Sequence, residues 1–157
     1  MENIRDSNWV KLSSDYKGCW DVLNYDVHCI GSSTGASAIK MIPGSYVTSR
    51  RANDTWTLIP AVAGGTGAVY RAKFPVYLDS YGLVTQTGAA GLPICTPKIT
   101  DDCLTRFTRE IVITRPANYS EIVAESVVTW TEPGRAIPYE IRIPYTLTNW
   151  KYEFYKD

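Results

Sequence analysis

The sequence predicts an α+β domain, with a short helix ahead of a mainly antiparallel β-sheet. Three observations lead to it. Residues 2–12 place Ile4 and Leu12 eight apart with Trp9 close to the same side, a helical spacing. Residues 106–150 fall into three consecutive strand-like segments joined by two turns. The chain between them offers short, loosely alternating runs punctuated by Gly, Pro and Ser. One helix followed by antiparallel strands is an α+β arrangement.

A length of 157 residues suits one domain with a single core. No internal repeat, low-complexity segment or linker divides it. The expected organisation is one domain over 1–157. Residues 1–12 end a helix, 13–105 hold variable strands and loops, 106–150 form a three-stranded meander, and 151–157 are a tail. Sixteen basic and 16 acidic residues give a formal net charge of zero, which argues against an electrostatic nucleic-acid binder. No apolar run approaches the ~20 residues that span a bilayer. There is no basic–apolar–small-residue signal peptide either.

In chain order, Glu2 suits the positive end of a helix dipole. The segment is too short to be stable alone, since isolated helices below ~12–15 residues are marginal. It therefore reads as the end of a longer helix, broken by Ser13-Ser14-Asp15 and Gly18. Residues 19–30 alternate loosely through Trp20, Val22, Tyr25 and Val27 and suit a short strand. Residues 31–38 are a loop, and 39–42 and 45–48 are weak strands around Pro43-Gly44. Residues 55–62 make a better strand, with Trp56 and Leu58 on one parity. Gly64-Gly65-Thr66-Gly67 is a turn. A strand over 68–78 contains Pro75, and Ser80-Tyr81-Gly82 turns into a short strand at 83–87. Residues 88–102 are irregular.

The last three strands carry the clearest pattern. Phe107, Ile111 and Ile113 share a parity in the first, and Ile122, Val128 and Trp130 in the second. Glu132-Pro133-Gly134-Arg135 supplies Pro and then Gly, as a type II turn requires. In the third, Ile137, Tyr139, Ile141, Ile143, Tyr145 and Leu147 make one apolar face, expected against a core. Pro138 and Pro144 share the other parity, so their missing N–H groups lie on one side, which suits a sheet edge.

Four cysteines, Cys19, Cys29, Cys95 and Cys103, read as disulfides of an exported protein rather than a zinc site, because no C-x-x-C occurs and histidine is single. Three pairings are open. The two local ones, Cys19–Cys29 and Cys95–Cys103, are favoured because each closes a short loop.

No motif for chemistry survives its plainer reading. The glycine run lacks the Lys-[Ser/Thr] of a phosphate loop. His28 and Cys29 are adjacent on a strand and face opposite ways. Asp101, Asp102, Thr100 and Asp79 carry oxygen ligands, but not at the spacing of an EF-hand loop, and solvated loop carboxylates explain them. Arg50-Arg51, Arg71-x-Lys73 and Arg106-x-x-Arg109 are short basic spots that surface solubility explains, with Arg109 and Glu110 on opposite strand faces. No catalytic, cofactor or metal residue is assigned, and an enzyme is not expected.

Three pieces in order resemble the type IV pilin-like family. Glu2-Asn-Ile-Arg-Asp-Ser-Asn-Trp9 resembles the end of the long N-terminal pilin helix. Val76-Tyr-Leu-Asp-Ser-Tyr-Gly82 followed by Thr105-Arg-Phe-Thr-Arg-Glu-Ile-Val-Ile113 resembles the family's strand, glycine turn and alternating aliphatic strand. Val127-x-x-Trp130, Gly134-Arg135 and Leu147-Thr-Asn-Trp150 resemble its C-terminal end. Together they cover about half the chain, and residues 19–66 carry little of it. The resemblance implies a pilin-like α+β fold in which a helix stub packs on the sheet. It implies a structural subunit, a V-type or I-type minor pilin of a type IV pilus or of a type II secretion pseudopilus. Such a subunit partners other pilin subunits in a filament. Before assembly it is anchored in the inner membrane by an apolar N-terminal helix, expected here upstream of Met1. It is exported, to the cell surface or the periplasm, where a surface or host-cell ligand is a further expected partner. It needs no cofactor. Two alternatives stand beside this one: a free-standing exported adhesion or ligand-binding module using aromatic residues of 19–66, and a small hydrolase built on His28.

Overall fold

A computed structural model describes residues 19–24, 39–50, 56–61, 74–86, 91–96, 101–116 and 121–149. They build seven strands: β1 (Gly44–Arg50), β2 (Trp56–Pro60), β3 (Pro75–Leu78), β4 (Val84–Thr85), β5 (Cys103–Thr114), β6 (Glu121–Trp130) and β7 (Tyr139–Thr148). All belong to one sheet, and every ladder between named strands is antiparallel.

The α+β expectation is overturned. The described residues form an antiparallel β-sheet and contain no helix. The helical part of that expectation rested on residues 2–12 alone, which lie outside the described residues. The described segments carry alternating, β-branched and aromatic side chains that favour a pleated surface. Consecutive segments pair as antiparallel hairpins, and β5 joins them to β1 and β3, so the backbone hydrogen bonds go into ladders. The strand expected over 19–30 reduces, in its described part, to a bridge between Val22 and Lys40.

Strand β5 is the hub. It pairs with β3 through Cys103, Leu104 and Thr108, and with β1 through Ile111, Val112 and Ile113. Strand β6 lies along its other edge from Phe107 to Thr114, and among the described residues β7 closes that side by pairing with β6 alone. The expected meander is therefore present, with β7 at a sheet edge as its prolines require. Between β6 and β7 the expected turn forms: Gly134 has φ 83° and Arg135 N donates to Glu132 O at 3.1 Å. At that φ a side chain is strained, so glycine suits the second corner. On the far side β2 is also an edge among the described residues, and Asn24 caps it. Its Nδ2 donates to Leu58 O at 2.8 Å and its Oδ1 accepts from Leu58 N at 2.7 Å. A side chain that occupies an edge strand's free donor and acceptor blocks further strand addition.

Register fixes which residues share a face. Phe107, Arg109, Ile111 and Ile113 of β5 stand opposite Trp130, Val128, Ser126 and Ala124 of β6. Those four face Tyr139, Ile141, Ile143 and Tyr145 of β7, and Ile122 faces Leu147. Tyr46 and Leu58 extend the same face across β1 and β2. Cys19, Trp20, Val22, Leu23 and Met41 bury one end of it, against Tyr46, Leu58, Ile111, Ile113, Ile122, Ala124 and Leu147. Two bridge hydrogen bonds of 2.8 Å, Leu23 N to Ile39 O and Met41 N to Asp21 O, hold this cover together.

Polar groups fasten the cover to the sheet. Arg115, just beyond β5, donates to Asp21 Oδ2 at 2.6 Å and to Met41 O at 3.0 and 2.7 Å. Lys40 Nζ lies 3.2 Å from Asp21 Oδ1, an ion pair without hydrogen-bond geometry. The Arg115 guanidinium also sits 5.8 Å from the Trp20 ring centroid. Tyr46 reaches back along its own strand, its hydroxyl donating to Ile42 O at 2.7 Å.

The expected Cys95–Cys103 disulfide is present. It ties the Pro93–Cys95 strap to the start of β5, where Cys95 N and Leu104 N exchange hydrogen bonds with Leu104 O and Pro93 O. Cys19 is also disulfide-bonded, and Cys29 lies outside the described residues. Replacing Cys95 and Cys103 together by alanine is expected to lower the unfolding free energy by about 2.5 kcal/mol, from the entropy of the short loop released. Urea unfolding of the wild type and the double variant checks this. An unchanged midpoint would mean that the ladder alone fixes the strap.

Candidate interaction surface

Only one end of the core face is covered. Leu147 is 1% exposed, whereas Tyr145 is 44%, Ile143 61% and Ile141 49% exposed. The expectation that the whole apolar face of the last strand packs against a core is therefore corrected: the cover over Leu147 does not reach the residues nearer the turn. What remains largely exposed is a strip of Ile143 and Ile141 on β7, beside Val128 on β6, with Tyr145 partly exposed toward the covered end. It widens at its far end into a ring ladder across three strands.

The ladder follows from cross-strand pairing of aromatics. Phe107 and Trp130 have ring centroids 5.9 Å apart at 52°, and Trp130 and Tyr139 stack at 5.2 Å and 15°. The Arg135 guanidinium lies 4.3 Å from the Tyr139 ring centroid and donates to its hydroxyl. Trp130 and Tyr139 thus cover one another's faces, Phe107 meets Trp130 at a tilt, and the Arg135 cation lies over Tyr139. Beyond Phe107, a cavity of about 580 Å³ opens between the disulfide strap and the β6–β7 turn. Ile94, Leu78, Leu104 and Phe107 line it, with Arg106 and Glu132 among its polar residues.

Charge is sorted between the two faces of the meander. The carboxylates Glu110, Glu121, Glu125 and Glu140 all take the parity opposite the apolar strip. There Arg142 bonds Glu125 at 2.7 Å and Glu140 at 2.6 Å, and its hydrogen bonds to Glu140 and Glu125 raise its pKa. Glu110 accepts from the Ser45 hydroxyl, and the Thr108 and Thr129 hydroxyls bond across the ladder. The strip side of β5–β7 carries one charged residue, Arg109. Its Nε donates to Gln86 Oε1 at 3.2 Å and its Nη2 donates to Thr48 Oγ1. Gln86 fixes this corner by accepting from Thr48 N at 3.0 Å and donating to Arg109 O. No carboxylate pairs with Arg109 among the described residues, and burial lowers its pKa.

No protein-family model, no curated protein and no solved structure matches the chain. The surface must therefore be understood from its own chemistry.

The residues singled out in the sequence distribute as follows. Asp79 Oδ1 accepts from the N–H groups of Tyr81 and Leu83, and Asp102 Oδ1 accepts from Ser80 N. These carboxylates hold the turn before β4, and Thr100 lies outside the described residues. So do His28, Arg51, Arg71, Lys73 and the glycine run at 64–67. Among the described residues no group of three or more His, Cys, Asp or Glu could hold a metal ion. Arg109 and Glu110 do take opposite faces, but Glu110 is buried and Arg109 half-buried, so surface solubility does not account for them. Sequence reasoning missed both the exposed Ile141–Ile143 strip and the half-buried Arg109 beside it. The one available signal was parity: Arg109 shares the apolar parity of β5, while the glutamates of the meander do not.

Proposed function

We propose that the protein is a structural subunit, a minor pilin of a type IV pilus or of a type II secretion pseudopilus, and works by contact rather than by catalysis. The observation that carries this reading is where the resemblance falls. Its C-terminal pieces assemble into one continuous unit. Phe107 opens the β5–β6 pairing, Trp130 closes β6, Gly134 and Arg135 make the turn, and Leu147 closes β7 in the core. A bare apolar strip on that unit suits a protein that functions in assembly, because large exposed apolar patches mark interaction sites.

The adhesion alternative asked for exposed aromatics in residues 19–66. Of the aromatics described there, Trp20 and Tyr46 are buried and serve the core, and Trp56 is 39% exposed. That leaves a single described ring for such a contact and weakens the alternative.

Fractionation of the native organism tests the proposal. An antibody to residues 1–157 is expected to find the protein in the membrane fraction and in sheared surface filaments or assembled pseudopili. The reading frame upstream of codon 1 is expected to encode an apolar segment of about 20 residues. Recovery solely as a soluble exported monomer, with a stop codon upstream, would overturn the proposal.

A further inference from the structure

We infer that the cavity between the disulfide strap and the β6–β7 turn binds a small apolar zwitterion, the chemistry of a hydrophobic amino acid or of a dipeptide built from such residues. The inference does not depend on assembly into a filament.

The site is built before a ligand arrives. One wall is the Pro93–Cys95 strap, held by the Cys95–Cys103 disulfide and by backbone hydrogen bonds of 2.9 and 2.7 Å with Leu104. The other wall is the turn from Glu132 to Arg135, where Pro133 and the left-handed Gly134 leave the backbone little freedom. Fixed walls reduce the ordering cost of binding. A volume of about 580 Å³ falls among small-ligand sites, which span ~300–1,000 Å³. Leu78, Ile94, Leu104 and Phe107 supply its apolar lining. Ile94 is 75% exposed, although the strap that carries it is tied down beside it. An isoleucine held in water at the mouth of a cavity gains free energy when an apolar group covers it.

Charge selects the two ends of the ligand. Arg106 and Glu132 both line the cavity. They stand one and two residues beyond Phe107 and Trp130, the last pair of the β5–β6 ladder. Among the described residues neither side chain is engaged in an ion pair, with the other or with any third group. A guanidinium takes a carboxylate on its planar fork, and a carboxylate takes an ammonium. A ligand that carries both groups answers both residues while it covers the apolar lining. A nucleotide fits badly, because its phosphates would meet one cation beside a carboxylate. A fatty acid would answer Arg106 and leave Glu132 against its chain. A sugar finds few partners: the hydroxyls of the cavity belong to Thr105 and Thr131, and Thr105 Oγ1 already donates to Val76 O at 2.6 Å.

The test titrates the isotope-labelled 157-residue chain with phenylalanine and with leucyl-phenylalanine, and follows the amide NMR shifts. At least one of the two is expected to bind with a Kd on the order of 1 mM or tighter, shifting the amides of Ile94, Arg106 and Thr131. The tighter of the two names the source. Acetylating the amine or amidating the carboxylate of either ligand is expected to weaken it about fivefold or more. Arg106→Gln should remove the penalty of amidation, and Glu132→Gln that of acetylation. Ile94→Asp should weaken every ligand by about tenfold. All three positions are exposed, so the fold is expected to survive these changes. Should a variant fail to fold, the blocked and unblocked ligands on the wild-type chain still decide. No shift at the cavity up to roughly 10 mM of either ligand, equal affinity for blocked and unblocked forms, or binding indifferent to Ile94→Asp would each overturn the inference.

Discussion

Leu147→Ala is expected to lower the unfolding free energy by about 3 kcal/mol, while Ile143→Ala on the same strand and the same face changes it by less than about 0.5 kcal/mol. Both are large aliphatics at the same parity of β7, and a pattern argument would treat them alike. Leu147 is buried opposite Ile122, which is itself fully buried, and lies under the Cys19–Leu23 cover. Removing its side chain leaves a cavity that neighbours from three segments line, and they cannot all collapse into it. Ile143 stands opposite Ser126 and is mostly in water. Truncating it exposes little that was hidden. Urea titrations of the two variants, fitted with a common slope, give the comparison directly. Equal losses would show that something covers the strip in the free chain, and the division of the core face would be wrong.

The contrast shows where sequence reading succeeds and where it stops. Strand parity is local: the pleat alone dictates that Tyr139, Ile141, Ile143, Tyr145 and Leu147 share a face. The edge position of β7 was legible for the same reason, from two prolines of one parity. The turn at Pro133-Gly134 was legible because backbone sterics leave few residue choices there. Coverage is not local. Whether a face meets core or water depends on how far residues 19–24 and 39–42 extend across it, and no period in β7 encodes that. The strand expected over 83–87 is shorter than its pattern, Val84–Thr85, because β4 has only the end of β3 to pair with, and residues 68–73 of the strand expected over 68–78 lie outside the described residues. The Arg109–Gln86–Thr48 corner joins residues 23, 38 and 61 positions apart. Nothing in the local sequence of Gln86 announces such a role. The Cys95–Cys103 pair was legible because loop closure is cheapest between near neighbours.

Arg115→Met should cost about 3 kcal/mol, close to the lower end for breaking a buried pair, because Lys40 still faces Asp21. The arginine joins two parts of the cover to the sheet at once. It satisfies Asp21 Oδ2 on one side and the Met41 carbonyl on the other, with its guanidinium near the Trp20 ring. Methionine keeps much of the side-chain volume against Trp20 but supplies no donor. Asp21 then keeps a single cation, at 3.2 Å and without hydrogen-bond geometry, and Met41 O loses its side-chain donors. Lys40→Met is expected to cost clearly less, under about 1 kcal/mol, since the Lys40 Nζ makes no hydrogen bond to Asp21 and methionine can keep the packing of its stem. Asp21→Asn combined with Arg115→Met removes both ends of the close pair. It should therefore cost less than the sum of the two single changes. Strict additivity in that cycle would mean that Asp21 and Arg115 do not couple, and that burial of Trp20 and Met41 alone holds the cover on the sheet.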